Sequence, residues 1–224
     1  MSAIRPGGID DSQKALSLRP TFNVSELPAS VLDHRSAVWI GNILMIIIES
    51  LMFALLFATY FYLRNNFQVW PPPQVNRSPM NLHPLPGLGF TSINMIWLVL
   101  SIIPMFVADR ACLHMKESVA KICLLVLLVM IAVAIVLRFY EFKDVRFRWD
   151  DNAYSAVLWT TLSVHLMHLC IAFGEMMLMT VWIFVKGMDA KHSRDVRVTA
   201  IYWYWVVGVW VPFYLAMFVG PHLL

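Results

Sequence analysis

The sequence predicts an all-α integral membrane protein that is a bundle of five transmembrane helices. Of its 224 residues, 59% are hydrophobic and only 14% are charged, whereas soluble globular domains carry about 25% charged residues. The apolar residues are concentrated in five long runs, as expected for helices that cross the roughly 30 Å hydrocarbon core of a bilayer. The composition therefore excludes a soluble domain, and the small net charge of +3 gives no indication of a nucleic-acid partner.

The first predicted span, 38–63, contains one charged residue, Glu49. A helix of 26 residues rises about 39 Å, which is enough to cross the membrane. A charge at its centre costs at least about 2.5 kcal/mol on insertion scales, so Glu49 is expected to be protonated or paired inside protein. Two interpretations stay open, a contact between helices or a direct role in proton handling. Residues 1–37, which are polar and rich in Gly and Pro, are predicted to form a cytoplasmic tail.

The rest of the transmembrane domain, 38–224, contains four more predicted spans. Six prolines in 64–89 forbid a continued helix and predict a loop after the first span. A hydrophilic turn is predicted over 109–118. The third span has a short apolar centre, so Lys121 and Arg138 are expected to extend toward the membrane surface from its two ends. The predicted spans after the first are 88–108, 119–141, 153–185 and 198–221, and the aromatic start of the last is typical of a membrane interface.

The distribution of basic residues predicts the orientation. Five crossings place the N-terminus and two loops on one side of the membrane, and the C-terminus and the other two loops on the opposite side. Of the 17 Lys and Arg residues, eleven lie on the side of the N-terminus and six on the other. Because positive charge is retained inside, the N-terminus is predicted to be cytoplasmic and the C-terminus external.

Polar residues inside the predicted spans are the candidate site residues. His165 and His168 are three positions apart, and Glu175 follows seven positions later, so the three predict one polar stripe on the fourth helix. Arg138 and Glu141 have the same short spacing and predict a local ion pair at the outer end of the third helix. Carboxylate-bridged metal sites in bundles use a Glu-x-x-His motif from each of two helices, which this chain does not contain. No metal site and no catalytic residue set are predicted, and a histidine pair hydrogen-bonded between helices is favoured over catalytic use.

Several short motifs appear along the chain in a recognisable order. They are Glu49 followed by MFALLFATYFYLR, Trp70-Pro71-Pro72 followed by His83-Pro84-Leu85, Asn94 with Ser101, Glu141 followed by DNAY with Tyr154, and HLMH followed by YWYWVVGVW with Trp203 and Trp210. In this order they resemble subunit III of the haem-copper respiratory oxidases, a family that reduces oxygen to water with electrons from cytochrome c or quinol. The resemblance covers 38–220, and the ordered set is more specific than any single motif.

The chain also departs from the pattern of that family. Tyr204 and Val207 stand where a His and an Asp are usual, and Arg138 stands where a Gln is usual. Leu166 replaces the Gly of the histidine motif, and Glu175 stands at a position that is usually apolar. The resemblance therefore implies a diverged member with five helices, which lacks the first two helices of the fuller form.

What the resemblance implies is a subunit without a redox centre. Such a subunit stabilises the catalytic subunit, binds phospholipid and supports proton uptake, while haem and copper reside in partner subunits. Oxidase subunit I and the other oxidase subunits are the expected partners, and the bacterial inner membrane is the expected location. Two alternatives stay open: an accessory subunit of a nitric oxide reductase system, and a free-standing proton-coupled transporter that uses Glu49, His168 and Glu175.

The expected partner of Glu49 lies on the fourth helix. At 1.5 Å of rise per residue, His168 or Glu175 reaches the depth of Glu49, depending on how far that helix projects from the membrane. His168 is favoured because it belongs to a motif that resembles the family. An apolar interior disfavours charged forms, so a neutral pair sharing a hydrogen bond is the expected state.

Overall fold

The computed structural model describes residues 37–73, 85–145, 147–188 and 192–223. The predicted polar tail lies outside these residues except for Ala37, and so do His83 and Pro84 of the proline-rich motif. The described residues form five long helices, followed by a π-helical segment and a short last helix. The long helices are α1 (Ala37–Asn65), α2 (Gly89–Leu113), α3 (Glu117–Asp144), α4 (Ala153–Lys186) and α5 (His192–Phe213).

Five segments of the described chain are long and apolar enough to cross a membrane, and the fifth combines α5 with the elements that follow it. The described part of the chain contains no β-strand. These findings confirm the predicted all-α class and the number of membrane-spanning helices.

The turn between α2 and α3 is shorter than the sequence predicts. The prediction placed a hydrophilic turn over 109–118, but α2 continues to Leu113 and only His114, Met115 and Lys116 separate it from α3. The helix continues because its last turns are packed: Cys112 is fully buried. Asp109 also finds a partner on α5, since its Oδ2 lies 3.9 Å from Nη1 of Arg197.

The start of α4 is defined by a capping box. The side chain of Asn152 accepts a hydrogen bond of 2.7 Å from the backbone N–H of Ser155, whose hydroxyl accepts one of 2.9 Å from the N–H of Asn152. Two of the backbone N–H groups that lack an intrahelical partner at the start of the helix are thereby satisfied. The Asn152 amide also donates to the carbonyl of Pro72 at 2.9 Å, which attaches the loop after α1 to this helix end.

The last span ends irregularly because of Pro221. A π-helical segment, Tyr214–Val219, follows α5 and leads into α6 (Gly220–Leu223). Pro221 has no N–H to donate to the carbonyl of Ala216 or Met217, five and four residues before it. Two tyrosine hydroxyls take its place: Tyr60 of α1 donates to Ala216 at 2.8 Å, and Tyr154 of α4 donates to Met217 at 2.5 Å.

The first helix packs along α5 through a narrow stripe. The buried residues of its described part are Asn42, Phe53 and Tyr60, which recur at helical spacing on one face. Along that face Asn42 donates to the carbonyl of Val198 at 3.5 Å. Most of the remaining surface of α1 is apolar and exposed, including Ile40, Leu44, Ile47, Ile48, Leu51 and Leu55.

Three of the five aromatic residues in the first part of the last span are core residues rather than members of an interfacial belt. Tyr202, Trp203 and Trp210 are each at most 1% exposed. The indole of Trp203 donates to the hydroxyl of Ser101 on α2 at 3.2 Å. The prediction of an aromatic interface was wrong here because the rings face neighbouring helices.

Replacing Tyr154 with Phe is expected to destabilise the bundle. The variant keeps the ring but leaves the Met217 carbonyl without its donor, and an unsatisfied buried acceptor costs about 1–3 kcal/mol. The measurement is the thermal unfolding midpoint of the purified protein in detergent. Tyr62→Phe, at a tyrosine that is 69% exposed, is the matched control. Equal midpoints for both variants would contradict this account of the helix end.

Candidate functional site

Arg138 and Glu141 lie in the centre of the packed helices. Both side chains are fully buried, and Nη1 of Arg138 forms an ion pair with Oε2 of Glu141. The expectation that Arg138 extends to the membrane surface and that the pair anchors α3 there was therefore wrong. The side chain of Arg138 turns inward because its partners lie on α4 and α5.

Two further contacts hold the guanidinium of Arg138. Its Nη2 lies 2.7 Å from Nδ1 of His165, and its central carbon lies 4.1 Å from the centre of the Trp210 ring. The His165 ring stacks on Trp210 with centroids 4.4 Å apart. Arg138, Glu141, His165 and Trp210 are called the arginine cluster below. A buried cation is thus held by a carboxylate, a lone pair and an aromatic face.

The arginine cluster determines which nitrogen of His165 carries hydrogen. A guanidinium can only donate hydrogen bonds, so Nδ1 of His165 must be the acceptor. The hydrogen of the neutral ring is then on Nε2, which lies 3.1 Å from the carbonyl of Val206 and donates to it. Both nitrogens are occupied, so His165 cannot take up a proton or bind a metal while these bonds persist.

Asn94 of α2 borders the same cluster. Its buried amide lies beside Glu141. Neither amide atom, however, makes a hydrogen bond to a protein group, and neither does Oε1 of Glu141. The motif residue Asn94 therefore contributes polarity to the cluster rather than a direct hydrogen bond.

Glu49 and His168 form a second polar contact, between α1 and α4. Oε2 of Glu49 lies 3.7 Å from Nε2 of His168, beyond direct hydrogen-bond reach. Nδ1 of His168 lies 2.7 Å from the carbonyl of Val164, so it must carry a hydrogen and donate. Nε2 is left facing the carboxyl group. The predicted contact between Glu49 and His168 is thus present, but the predicted direct hydrogen bond between them is not formed.

The surroundings of this contact are apolar on the histidine side. His168 is 1% exposed, and its ring lies 5.1 Å from Phe53 and 5.6 Å from Trp205, centre to centre. Trp205 is held by a hydrogen bond of 2.8 Å from its indole to the hydroxyl of Ser50. The Glu49 side chain is 19% exposed, so it is the accessible member of the pair.

Glu175 and Tyr202 belong to the same region. Glu175 lies within electrostatic range of Glu49, and the Tyr202 hydroxyl lies within electrostatic range of both carboxyl groups. Glu49, His168, Glu175 and Tyr202 are called the glutamate pocket below. The polar stripe expected on α4 is therefore divided, because His165 faces the arginine cluster while His168 and Glu175 face the glutamate pocket.

Sequence reasoning did not select Tyr202 as a site residue. It was counted with the interfacial aromatic residues, although its spacing of three from Trp205 places the two on one helix face. The other motif residues have structural contacts: the Trp70 indole donates to the Tyr60 hydroxyl at 3.2 Å, and Tyr154 supports the π-helical segment. Within the described ranges, no group of three or more His, Cys, Asp or Glu side chains is arranged to hold a metal ion.

Most of the chain, including its five long helices, matches the model of a known protein family. The family model described as cytochrome c oxidase subunit III matches residues 30–220. The matched range contains every residue of the arginine cluster and of the glutamate pocket. It therefore covers the fold and both candidate sites.

Removing one member of the buried ion pair is expected to be more damaging than removing both. Arg138→Met leaves Glu141 without its cation, and breaking a buried pair costs roughly 3–5 kcal/mol. The double variant Arg138→Met/Glu141→Leu leaves no buried charge and should recover part of that loss. Unfolding by denaturant in mild detergent measures both.

Arg148→Met is the control, because Arg148 is 61% exposed and its side chain lies 3.1 Å from Asp150 at the surface. It should change stability little. A double variant less stable than Arg138→Met alone would contradict the assignment of Glu141 as the partner of Arg138.

Proposed function

The chain belongs to the cytochrome c oxidase subunit III family, and on that premise we propose that it is the non-redox subunit III of a terminal haem-copper oxidase. In this role it stabilises the catalytic subunit, binds phospholipid and supports proton uptake while oxygen is reduced to water. Haem and copper belong to the partner subunits. The observation that carries the proton role is the Glu49–His168 contact in the middle of a membrane-spanning helix.

The exposed face of α1 supports the assembly role. Large apolar side chains such as Ile48 and Leu55 are 66% and 70% exposed, while only a narrow stripe of the helix packs on α4 and α5. A surface of this kind is suited to lipid tails or to another membrane subunit. We assign this face to contacts with phospholipid and with the other oxidase subunits, subunit I among them.

The proton role is supported by the chemistry of the glutamate pocket. Nε2 of His168 and Oε2 of Glu49 face each other at 3.7 Å, and either atom can hold a proton. The Glu49 side chain is 19% exposed although its Oε2 is buried, so we assign proton exchange with a group outside the bundle to this carboxyl group. Reduction of oxygen to water consumes protons, and the predicted orientation places the start of α1 on the cytoplasmic side. Glu49 is then a proton-holding group within reach of that side.

The arginine cluster argues against a free-standing proton-coupled transporter. Such a protein needs a site that opens to both sides of the membrane in turn. One helical turn from His168, the ring of His165 has both nitrogens occupied and a fixed cation 2.7 Å away. A buried positive charge repels a proton. We therefore propose a bacterial inner-membrane protein that is bound to an oxidase. Its glutamate pocket exchanges protons with one side of the membrane only.

Affinity purification of the tagged chain in mild detergent tests the assignment. The expected result is co-purification of haem-containing subunits, with an oxidase optical spectrum that stays with those subunits when this chain is separated from them. Isolation of the chain alone and free of haem would contradict the proposal. Co-purification with the subunits of a nitric oxide reductase would instead select the alternative assembly.

Glu49→Gln is expected to preserve assembly and lower proton-limited turnover. Glutamine keeps the size and polarity of the side chain but cannot carry the shared proton. Glu49→Ala should also loosen the α1–α4 contact and reduce the amount of assembled complex. The measurement is oxygen consumption per haem, with Glu117→Gln as control because the Glu117 side chain is 44% exposed and lies at the start of α3, where it pairs with Lys121 at 2.6 Å. Wild-type turnover in Glu49→Gln over the whole working pH range would exclude a proton role for this residue.

A further inference from the structure

We propose that Glu49, Glu175 and Tyr202 bind a water molecule, and that Glu175 is a second proton-exchanging carboxyl of the glutamate pocket. The binding site stands on the geometry of the pocket alone. Its use in turnover rests on the proposed proton role of Glu49. No contact described above requires Glu175 or the hydroxyl of Tyr202, and Glu175 stands at a position where the resemblance leads one to expect an apolar residue.

The first observation is a pair of buried polar atoms without partners. Tyr202 is 1% exposed, and its hydroxyl oxygen is buried with no hydrogen-bond partner in the protein. Oε2 of Glu49 is also buried and has none. Buried hydroxyl and carboxyl oxygens almost always have a partner, which is an ordered water where no protein group is in reach. Two such atoms in one pocket therefore indicate a small polar ligand.

The second observation is that three helices bring these groups to one place. Trp205 contacts His168 of the Glu49 pair, and Tyr202 stacks on Trp205 with centroids 5.8 Å apart and ring planes 19° apart. Tyr202 precedes Trp205 by almost one turn of α5, and Glu175 follows His168 by two turns of α4. Since α4 and α5 are consecutive antiparallel spans, Glu175 is displaced from His168 in the same direction along the bundle as Tyr202 is displaced from Trp205.

The third observation is electrostatic. Glu49, Glu175 and the Tyr202 hydroxyl lie within electrostatic range of one another. Two carboxylates within that range in a membrane repel each other. A polar molecule that donates to both relieves the repulsion. The neighbouring groups of the pocket are His168 on α4 and Ser50 on α1, and the Ser50 hydroxyl is already bonded to the Ile46 carbonyl and the Trp205 indole.

Water satisfies every group in this arrangement. It can accept a hydrogen bond from the Tyr202 hydroxyl and donate one to each carboxyl group. When Glu175 holds a proton, it gives this proton to the water, and the water gives one of its own hydrogens to Oε2 of Glu49. One O–H bond breaks and one forms at each step, the water is regenerated, and the negative charge moves from Glu49 to Glu175. Nε2 of His168 then faces the protonated carboxyl group of Glu49.

The test is cryo-electron microscopy of the intact complex in lipid nanodiscs, at a resolution that shows ordered water. The expected result is a density peak within about 2.6–3.2 Å of the Tyr202 hydroxyl and of an oxygen of Glu49 and of Glu175. In Tyr202→Phe this peak should be lost, whereas Tyr62→Phe, at an exposed tyrosine, should keep it. A Tyr202 hydroxyl bonded directly to a protein or lipid atom, with no peak, would overturn the proposal.

A second measurement follows the proton. The infrared band that disappears in Glu49→Gln reports the Glu49 carboxyl group, and its rate of hydrogen–deuterium exchange is measured in heavy water. Glu175→Gln and Tyr202→Phe should slow this exchange at least tenfold, while Glu117→Gln should not change it. Unchanged exchange in both pocket variants would refute the role of Glu175. A water peak and slowed exchange, together with wild-type oxygen consumption in Glu49→Gln, would uphold this site and reject the proton role in turnover.

Discussion

The structure depends on how the buried charge of Arg138 is compensated. Moving a guanidinium out of water costs several kcal/mol even after the protein relaxes, and this side chain has no exposed surface. Glu141 supplies the counter-charge, His165 a lone pair and Trp210 an aromatic face. These partners come from α3, α4 and α5, so the three helices must keep one relative register for the cation to be tolerated. The arginine cluster thereby specifies how the centre of the bundle packs.

The same cation separates the functions of two histidines on one helix. His165 is restricted to the Nε2–H form, since one nitrogen accepts from Arg138 and the other donates to Val206. His168, one turn away, faces a carboxyl group instead. A helix with two histidines at this spacing therefore supplies one structural ring and one ring that can share a proton. The glutamate pocket, which can hold a proton, therefore lies next to the arginine cluster, which holds a fixed cation.

Hydropathy was sufficient to predict the five helices because lipid requires long apolar segments with internally satisfied backbones. It could not predict where Arg138 points, since an arginine near a helix end can extend to the surface or turn inward. The inward partner, His165, lies 27 positions away in sequence. The Trp203 ring was misassigned for the same reason: aromatic residues suit both a membrane interface and a helix core. The depth of Glu49 restricted its partner to two residues, but the choice between them needed the packing of α1 against α4.

The most direct test of this account is the protonation of the two histidines, measured by ¹⁵N solid-state NMR of the histidine-labelled complex and assigned with single-histidine variants. We expect His165 to give the signals of a neutral ring with hydrogen on Nε2 throughout the pH range in which the complex is stable. We also expect the His168 signals to change in Glu49→Gln while those of His165 do not. A doubly protonated His165, or one with its hydrogen on Nδ1, would contradict the contact with Arg138 on which the account depends.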